Sequence, residues 1–344
     1  MLQFDQNASL TPLTTFGIEA RCQALCRVDS ESYFLKVLEH SHKNSLPLHI
    51  LGGGSNVLIT HDLPGIVMVN TLKGVTVVTE NQEYLLVEFA SGEIWHDCVK
   101  WAVSNALGGI ENLALIPGTI GAAPIQNIGA YGVELKDVFH ELRAIELSSG
   151  KEFVFNASQC QFGYRDSIFK HAAKNKYFIT SVTLRLFKNP SYKIDYGDIK
   201  KILAEDYFGE INIATIAASV EKIRKSKLPD PMVIGNAGSF FKNPIISPSH
   251  YDALKDSYPD MPSYMADNGV KIPAAWLIER TAPQGGSSWK GYRIGAVGVH
   301  DRQALVLVNF GKAKGLEVVY LSEQIMISVF QKFNIQLERE VNIW

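Results

Sequence analysis

The sequence predicts a mixed α and β protein built from more than one domain. Short runs rich in β-branched and aromatic residues alternate with segments whose apolar residues recur at helical spacing, and proline-containing breaks interrupt the chain. A chain of 344 residues exceeds the usual size of a single hydrophobic core, which indicates two or three domains. A hydrophobic content of 46% and a charged content of 20% are typical of a globular protein.

The first half of the chain predicts a small α/β unit followed by a β-rich region. Between residues 24 and 59 the order is strand, helix (31–40), strand (48–51) and glycine-rich loop. A second helix is predicted at 94–105, where Trp95, Cys98, Trp101 and Ala102 recur at helical spacing. Strand composition is found at 66–69, 74–79, 84–90, 151–155 and 177–187.

The second half is divided by prolines. A Tyr-Gly-Asp turn at 196–198 precedes an amphipathic helix predicted at 216–226. Pro229 and Pro231 end this helix, because proline lacks the amide hydrogen that a helix interior needs, and they predict a domain boundary. Beyond them we predict helices at 274–281 and 316–333, and strands at 291–299 and 304–309.

Charge and cysteine content argue against several classes of protein. A formal net charge of −2 provides no electrostatic basis for binding nucleic acid or an anionic membrane. The amino terminus lacks the basic and apolar regions of a secretory signal, and no run approaches the roughly 20 apolar residues of a membrane helix, so we expect a cytoplasmic protein. Cys22, Cys26, Cys98 and Cys160 lack a paired metal-ligand spacing, which predicts reduced, buried thiols and no metal site.

Residues 51–60, Leu-Gly-Gly-Gly-Ser-Asn-Val-Leu-Ile-Thr, predict a phosphate-binding loop between two strands. Consecutive glycines permit positive φ and close backbone approach, so that successive amide groups can face one anion. No Gly-Lys-Ser/Thr follows, and Val57 replaces the third glycine of G-x-G-x-x-G, so the loop is neither a P-loop nor a full Rossmann fingerprint. The pattern favours a diphosphate cradle in another α/β fold; the alternative is a tight turn without a ligand.

A second segment, residues 116–132, consists almost wholly of small, apolar and amide side chains and carries no charge. An ordinary surface loop would be charged, so this composition favours a surface that lies against something flat and largely apolar. Its glycines permit close approach to a planar ring, and Gln126 and Asn127 offer amide donors and acceptors at a ring edge. The alternative is a buried, glycine-rich crossover between two subdomains.

Both loops, together with motifs that follow in order along the chain, resemble the UDP-N-acetylenolpyruvoylglucosamine reductase family. The motifs are Thr-Thr-Phe-Gly-Ile at 14–18, Tyr-Arg-Asp-Ser at 164–167, Lys-Leu-Pro-Asp-Pro at 227–231, Gly-Asn-Ala-Gly-Ser-Phe-Phe-Lys-Asn-Pro at 235–244, Ala-Ala-Trp-Leu-Ile at 274–278 and Leu-Glu-Arg-Glu-Val at 337–341. The resemblance therefore runs from about residue 12 almost to the carboxy terminus, and the ten-residue string is its most specific part.

The resemblance implies an FAD-binding fold of the vanillyl-alcohol-oxidase/PCMH type plus a separate α+β substrate domain. It implies three parts: FAD-binding subdomain 1 at 1–66, FAD-binding subdomain 2 at 67–228 with the tyrosine-loop insertion of the longer, type I members, and a substrate-binding domain at 229–344. The residues it assigns to FAD are Gly52, Gly53, Gly54, Ser55, Asn56, Val57, Pro117, Gly118, Thr119, Gly121, Ala122, Ala123, Gln126, Asn127, Gly129, Ala130 and Tyr131.

The chemistry that the resemblance implies is reduction of an enolpyruvyl ether, UDP-N-acetylglucosamine enolpyruvate, in peptidoglycan precursor synthesis, with the associated roles in cell shape, cell cycle and division. NADPH would deliver hydride to flavin N5, and hydride would pass on to the vinyl carbon of the substrate. Arg165 and Glu340 would stabilise the charge that develops beside the substrate carboxylate, and Ser239 would protonate the adjacent carbon. Without the motifs, a solvated Arg and Glu and a helix-capping Ser are the ordinary interpretations.

Three further residues match family positions that hold the nucleotide diphosphate: Tyr196, Lys227 and Asn243. Tyr196 lies in the tyrosine-loop insertion, which would close over the substrate like a lid. Nothing in the sequence demands an oligomer, and we expect a monomer. Two alternatives remain: another flavin-dependent oxidase or dehydrogenase of the same fold, and a non-enzymatic nucleotide-binding protein. The first often tethers flavin through His or Cys, which neither loop has beside it, and mere binding would not require a proton donor.

Overall fold

A computed structural model describes residues 2–266 and 268–344. The α-helices are α1 (Glu31–Lys43), α2 (Trp95–Ser104), α3 (Ala157–Cys160), α4 (Ile199–Asp206), α5 (Ile213–Lys227), α6 (Pro248–Ser257), α7 (Ala274–Glu279) and α8 (Gly315–Phe333). Short 3-10 helices lie at Thr11–Leu13, Glu111–Leu113, Ile120–Gln126, Leu135–Asp137 and Ile168–Lys170.

The strands are β1 (Asp5–Ser9), β2 (Arg21–Val28), β3 (Leu48–Leu51), β4 (Val57–Leu58), β5 (Leu63–Asn70), β6 (Val75–Glu80), β7 (Tyr84–Ala90), β8 (Gly129–Ala130), β9 (Val133–Glu134), β10 (Phe139–Glu146), β11 (Glu152–Asn156), β12 (Tyr177–Phe187), β13 (Gly235–Ser239), β14 (Ile245–Ile246), β15 (Tyr264–Ala266), β16 (Gly269–Lys271), β17 (Arg293–Ile294), β18 (Val297–Val299), β19 (Val306–Asn309) and β20 (Asn342–Ile343). The chain divides into two compact units: residues 1–8, 22–53 and 63–226 form the first, and residues 9–21, 54–62 and 227–344 form the second.

Among its described residues, the first unit contains two larger sheets and the short β8-β9 hairpin. One has the order β1-β2-β5-β3, in which β5 runs parallel to both β2 and β3. The other is antiparallel, with the order β11-β10-β12-β7-β6. The central strand β5 contains a continuous apolar run because both of its faces are covered, as the buried Ile66, Val67 and Met68 illustrate.

Helix α1 illustrates how the sequence specifies an element of this unit. The Ser30 hydroxyl accepts a hydrogen bond from the Tyr33 amide at 3.3 Å and so caps the first turn. Phe34, Val37 and Leu38 recur at the i, i+3, i+4 spacing that places them on one buried face. The Phe34 ring packs against Phe178 with centroids 4.3 Å apart, which joins the helix to the sheets.

The second unit is built around α8. Val318, Leu321, Ile325 and Val329 of this helix are buried in a cluster that also contains Trp276. The sheet β13-β19-β18-β17, the three-stranded sheet β14-β16-β15 and the parallel pair β20-β4 complete this unit. The last pair matters for the site, because it fixes the carboxy-terminal residues of the chain against the strand that follows the glycine loop.

The structure confirms most of the predicted elements and corrects several. The helix predicted at 216–226 begins three residues earlier, at Ile213. The strand predicted at 291–299 is a hairpin, since Gly295 turns the chain with a φ of +59° between β17 and β18. The segment 116–132 is not an open loop: it contains the 3-10 helix Ile120–Gln126 and most of the β8–β9 hairpin. Helices α3, α4 and α6 and strand β10 are among the elements that were not predicted.

The predicted burial of the cysteines is confirmed: all four are buried, and none forms a disulfide bond among the described residues. Burial raises the pKa of Cys26 to about 11 and those of Cys98 and Cys160 to about 12, so these thiols stay protonated at neutral pH. Among the residues that the structure describes, no helix is long and apolar enough to cross a membrane. Within the same residues, no three His, Cys, Asp or Glu side chains are grouped so that they would hold a metal ion.

Candidate functional site

The two glycine-rich segments meet in the first unit. A Cβ atom added at Gly53 would lie 2.7 Å from the Cα atom of Gly118, and one added at Gly52 would lie 2.7 Å from Oγ1 of Thr119. Real Cβ atoms do not approach other atoms so closely, so each glycine is required by the neighbouring backbone or side chain rather than by its own φ. The first two glycines of the loop therefore allow one segment to lie directly on the other.

Gly54, the third glycine, belongs to the second unit and has a different role. Its φ is +61°, in the left-handed region that favours glycine. A Cβ here would lie 1.9 Å from the carbonyl oxygen of Leu13, so the position also excludes any side chain. The Thr15 amide donates to the Gly54 carbonyl at 3.1 Å. The Thr-Thr-Phe-Gly-Ile motif thus supports the glycine loop.

The segment 116–132 is fixed from within the first unit. Asn127 has a φ of +44° and is fully buried. Its amide nitrogen donates to the Gly163 carbonyl at 2.9 Å and to a carboxylate oxygen of Glu134 at 3.1 Å, and its oxygen accepts from the Lys136 amide at 3.0 Å. Both ends of the Asn127 amide therefore bind the protein itself. Of the predicted FAD residues, Gly53, Pro117 and Ala122 are exposed, whereas Gly54, Val57, Thr119, Gly121, Ala123, Asn127 and Gly129 are buried.

Arg165 lies at the tip of a tight turn in the first unit. Gly163 and Asp166 exchange backbone hydrogen bonds of 3.0 and 3.3 Å across the turn, and Arg165 has a left-handed φ of +52°. The guanidinium donates to the Gly129 carbonyl and lies 5.4 Å from the centre of the Tyr164 ring. Two residues after Arg165, the Ser167 hydroxyl donates to the Ile125 carbonyl at 2.7 Å. The whole turn is thus attached to the uncharged segment.

Ser239 ends strand β13 at a β-bulge of the second unit. Gly238, with a φ of +69°, makes the bulge, and its amide donates to the Asn236 side chain at 2.9 Å. The Thr15 hydroxyl donates to the Asn236 carbonyl at 2.7 Å, so the amino-terminal motif braces this turn as well. Ser239 is half-buried, and its hydroxyl has no hydrogen-bond partner among residues 2–266 and 268–344.

The second unit places the backbone of Glu340 beside the Ser239 turn. The Glu340 amide donates to the carbonyl of Phe240, the residue after Ser239, at 2.9 Å. Two residues on, β20 pairs with β4, and the Trp344 amide donates to the Leu58 carbonyl at 2.9 Å. These backbone hydrogen bonds hold the segment that carries Glu340 against β4 and the Ser239 turn.

The residues predicted to hold the diphosphate are distributed over the chain. Tyr196 is exposed in the first unit, with its ring edge-to-face on Tyr131 at 6.3 Å between centroids. Lys227 is exposed at the end of α5. Asn243 is half-buried, and its side-chain oxygen accepts from the Ala274 amide at 2.8 Å, at the start of α7.

Two polar residues of the first unit were missed by sequence reasoning. Asn112 is buried, and its amide nitrogen donates to the carbonyls of Tyr131 at 2.9 Å and Lys193 at 2.7 Å. The Nε atom of Arg224 is buried without a hydrogen-bond partner among the described residues. Desolvation lowers the pKa of Arg224, and the nearby charge of Arg165 acts in the same direction. In the sequence, these two residues stand out only as a polar Asn in an apolar segment and an Arg within a predicted helix.

The residues of the two glycine-rich segments fit a bound FAD. Their backbones approach closely where Gly52 and Gly53 meet Thr119 and Gly118, and glycine-rich backbones of this kind can turn amide groups toward an anion. The Thr119 hydroxyl is buried and has no partner within the part of the chain that the structure describes, so it is left with an unused hydrogen-bonding group. No Asp or Glu occurs in 116–132 to repel a phosphate.

Two family models and several relatives match this chain. Residues 22–156 match the family described as FAD binding domain, and residues 230–344 match UDP-N-acetylenolpyruvoylglucosamine reductase, C-terminal domain. A UDP-N-acetylenolpyruvoylglucosamine reductase of Paraburkholderia phymatum is 46% identical over 342 residues, which cover 98% of this chain and 97% of the relative. One from Amoebophilus asiaticus is 45% identical over 343 residues, with 99% of both chains covered.

A solved structure shows the same fold. The UDP-N-acetylenolpyruvylglucosamine reductase (MurB) from Thermus caldophilus superposes with a TM-score of 0.67 and 21% identity, and the match covers 100% of both chains. The FAD-binding domain and the glycine-rich cradle define a flavin-dependent oxidoreductase of mixed α and β fold. Within that class, the chain belongs to the UDP-N-acetylenolpyruvoylglucosamine reductase family. The predicted fold class and the predicted family are both confirmed.

Proposed function

We propose that this protein uses NADPH to reduce UDP-N-acetylglucosamine enolpyruvate to UDP-N-acetylmuramate, a step of peptidoglycan precursor synthesis. The observation that carries the proposal is the placement of Glu340 beside the Ser239 turn by a backbone hydrogen bond from Glu340 to Phe240. Reduction of a vinyl group next to a carboxylate requires a proton donor and groups that stabilise the charge beside the carboxylate. Relatives that match almost the whole chain are UDP-N-acetylenolpyruvoylglucosamine reductases, which supports the same substrate.

Bound FAD would be held by the two glycine-rich segments and would supply the redox chemistry, because a flavin accepts hydride from NADPH and delivers hydride to the vinyl carbon. The chain's own residues must then manage the negative charge left beside the substrate carboxylate. They must also deliver a proton to the carbon that carries this charge.

Arg165 is proposed to bind the substrate carboxylate. A guanidinium stays protonated at any physiological pH, and its planar fork matches both oxygens of a carboxylate. The hydrogen bond from Arg165 to the Gly129 carbonyl and the tight turn that carries Arg165 support this role, since both restrict the orientation of the fork before substrate binds.

Ser239 is proposed as the general acid and Glu340 as a second group for the carboxylate end. The Ser239 hydroxyl has no hydrogen-bond partner among the described residues, so its proton is available to a substrate carbon. An enolate carbon is a strong base, which makes transfer from a hydroxyl feasible where water is excluded. A carboxyl group beside a substrate carboxylate favours its protonated form, so Glu340 would donate a hydrogen bond there.

Binding of the nucleotide is proposed to involve Tyr196, Lys227 and Asn243, with Tyr196 in a type I tyrosine loop that covers the substrate. We further propose that the protein acts as a cytoplasmic monomer that binds neither nucleic acid nor membrane, and that it serves cell shape and division through the cell wall. The three-part division at 1–66, 67–228 and 229–344 remains our prediction.

Anaerobic stopped-flow absorbance at the flavin band tests the proposed function. NADPH should bleach the band, and UDP-N-acetylglucosamine enolpyruvate should restore it without oxygen. Bleaching without restoration would reject the substrate and favour another flavin-dependent oxidoreductase of this fold. Absence of a flavin band after reconstitution with FAD would reject the proposal entirely.

A further inference from the structure

Asn112 is a buried side chain that joins two segments of the first unit far apart in sequence. It lies in the 3-10 helix Glu111–Leu113, and only 1% of its surface is exposed. Its amide nitrogen has two hydrogens, and both are used: one donates to the Tyr131 carbonyl at 2.9 Å and the other to the Lys193 carbonyl at 2.7 Å. Tyr131 belongs to the uncharged segment, and Lys193 lies three residues before Tyr196.

The two segments also contact each other beyond this bridge, and they do so reciprocally. The rings of Tyr131 and Tyr196 meet edge-to-face, with an angle of 90° between their planes. Each tyrosine is followed by a glycine: a Cβ at Gly132 would lie 3.7 Å from Cβ of Tyr196, and a Cβ at Gly197 would lie 3.7 Å from Cδ1 of Tyr131. The two Tyr-Gly turns therefore lie side by side, at ordinary packing distance.

The second segment lies outside the regular secondary structure. Residues 190–198 form no helix or strand, and Tyr196 is 43% exposed. Tyr192 and Ile194 are only partly buried against the core. Segments with exposed backbone and little burial open at low free energy, so a buried bridge at Lys193 has a large effect on how often this one opens.

The orientation of Asn112 is itself fixed. The carboxylate of the preceding residue, Glu111, accepts from the Gly109 amide at 2.6 Å and so holds the turn that precedes Asn112. The side-chain oxygen of Asn112 is buried and has no partner within residues 2–266 and 268–344. The amide is therefore kept at this position for its two donors.

We infer that Asn112 is a positioning residue, which holds the Tyr196 loop against the segment that carries Tyr131 and thereby prepares the loop to bind the nucleotide diphosphate of the substrate. The inference rests on the proposed function for its second half only, since the bridge itself is a property of the protein without ligand. The residue acts through Tyr131 and Tyr196 and needs no contact with the reacting atoms.

Hydrogen–deuterium exchange of the full-length protein tests the bridge directly. Asn112→Leu keeps the approximate side-chain volume and removes both hydrogen-bond donors. If the leucine variant does not fold, Asn112→Asp is measured in its place. Amides of residues 190–198 should exchange about tenfold faster than in the wild type, because opening at this segment loses its buried anchor. Exchange in the five-stranded sheet should not change. Unchanged exchange at 190–198 would overturn the inference.

Steady-state kinetics test the functional half. The KM for UDP-N-acetylglucosamine enolpyruvate should rise roughly tenfold, equivalent to ~1.4 kcal/mol, while NADPH bleaches the flavin at the wild-type rate. Leu142→Ala is the matched control, because Leu142 is fully buried in β10 of the same unit and pairs with Phe155 and Val182. It should lower thermal stability and leave KM unchanged.

An equal rise of KM in this control would reduce Asn112 to a merely structural role and refute the inference. A wild type without turnover would refute the proposed function alone, since the exchange result stands independently of turnover.

Discussion

Replacement of Ser239 by alanine separates the two half-reactions of the proposed chemistry. The hydroxyl has no hydrogen-bond partner among the described residues, so Ser239→Ala removes no interaction within them. The backbone pairing of Ser239 with Val306 does not depend on the side chain. We therefore expect the free energy of unfolding to change by no more than about 0.5 kcal/mol.

The effect on catalysis should be far larger. A positioned general acid contributes roughly 10²–10⁴-fold to a rate, which corresponds to about 3–5 kcal/mol of transition-state stabilisation. The loss should appear only when the reduced flavin is reoxidised by the enolpyruvyl substrate. Bleaching of the flavin by NADPH requires no proton from Ser239 and should proceed within about twofold of the wild-type rate.

Anaerobic stopped-flow measurement of each half-reaction provides the assay. Ser328→Ala serves as the control, because the Ser328 hydroxyl accepts from the Trp289 indole at 2.7 Å in the same unit. This control should lose about 1 kcal/mol of stability and retain both half-reactions. Equal slowing of the two half-reactions in Ser239→Ala, or reoxidation at the wild-type rate, would refute the assignment of Ser239 as the proton donor.

Three further predictions follow from the structure. The Cβ added by Gly53→Ala would lie 2.7 Å from Cα of Gly118, so this variant should lose roughly 1–3 kcal/mol of unfolding free energy and show a lower ratio of flavin to protein absorbance. The control Gly209→Ala, at a φ of +82° with open space around it, should lose about as much stability and retain FAD. Full FAD content in the Gly53 variant would contradict the packing argument. Arg165→Lys keeps the charge but loses the fork, so the KM for the enolpyruvyl substrate should rise roughly tenfold or more, and an unchanged KM would contradict carboxylate binding. Burial raises the pKa of the Glu111 carboxyl group above its ordinary value of 4.5, so the folded state binds the carboxyl proton more tightly than the unfolded state does. The contribution of Glu111 to stability therefore falls as pH rises from 4.5 through the folded pKa. Urea unfolding of Glu111→Gln should lack this loss of stability, and parallel curves of stability against pH for the variant and the wild type would contradict the prediction.

Local patterns in the sequence were sufficient to predict most helices and strands. In α1, one capping serine and apolar residues at helical spacing act within three or four positions of each other, and that range is visible in a sequence. The corrections fall where spacing is not the deciding factor. The 3-10 helix Ile120–Gln126 lacks a helical apolar stripe and includes Pro124, so its composition resembled that of an irregular loop.

The glycine loop shows how a correct motif can have a physical reason that the sequence does not contain. Only Gly54 of the three glycines has a positive φ, although positive φ was one of the two properties for which the run of glycines was singled out. Gly52 and Gly53 are required by Thr119 and Gly118, which lie more than 60 positions along the chain. No local rule identifies which distant backbone will approach a given glycine.

By itself, the sequence determined the order of the elements, the uncharged and glycine-rich character of the two loops, and, through its motifs, the family. Tertiary structure alone decided that Glu340 lies beside the Ser239 turn, that β20 pairs with β4, and that Asn112 bridges Tyr131 and Lys193. The reason is the range of the interactions. Propensity and spacing act within one or two turns of the chain, whereas these contacts depend on sheet register and on which buried polar groups remain to be satisfied once the core has packed.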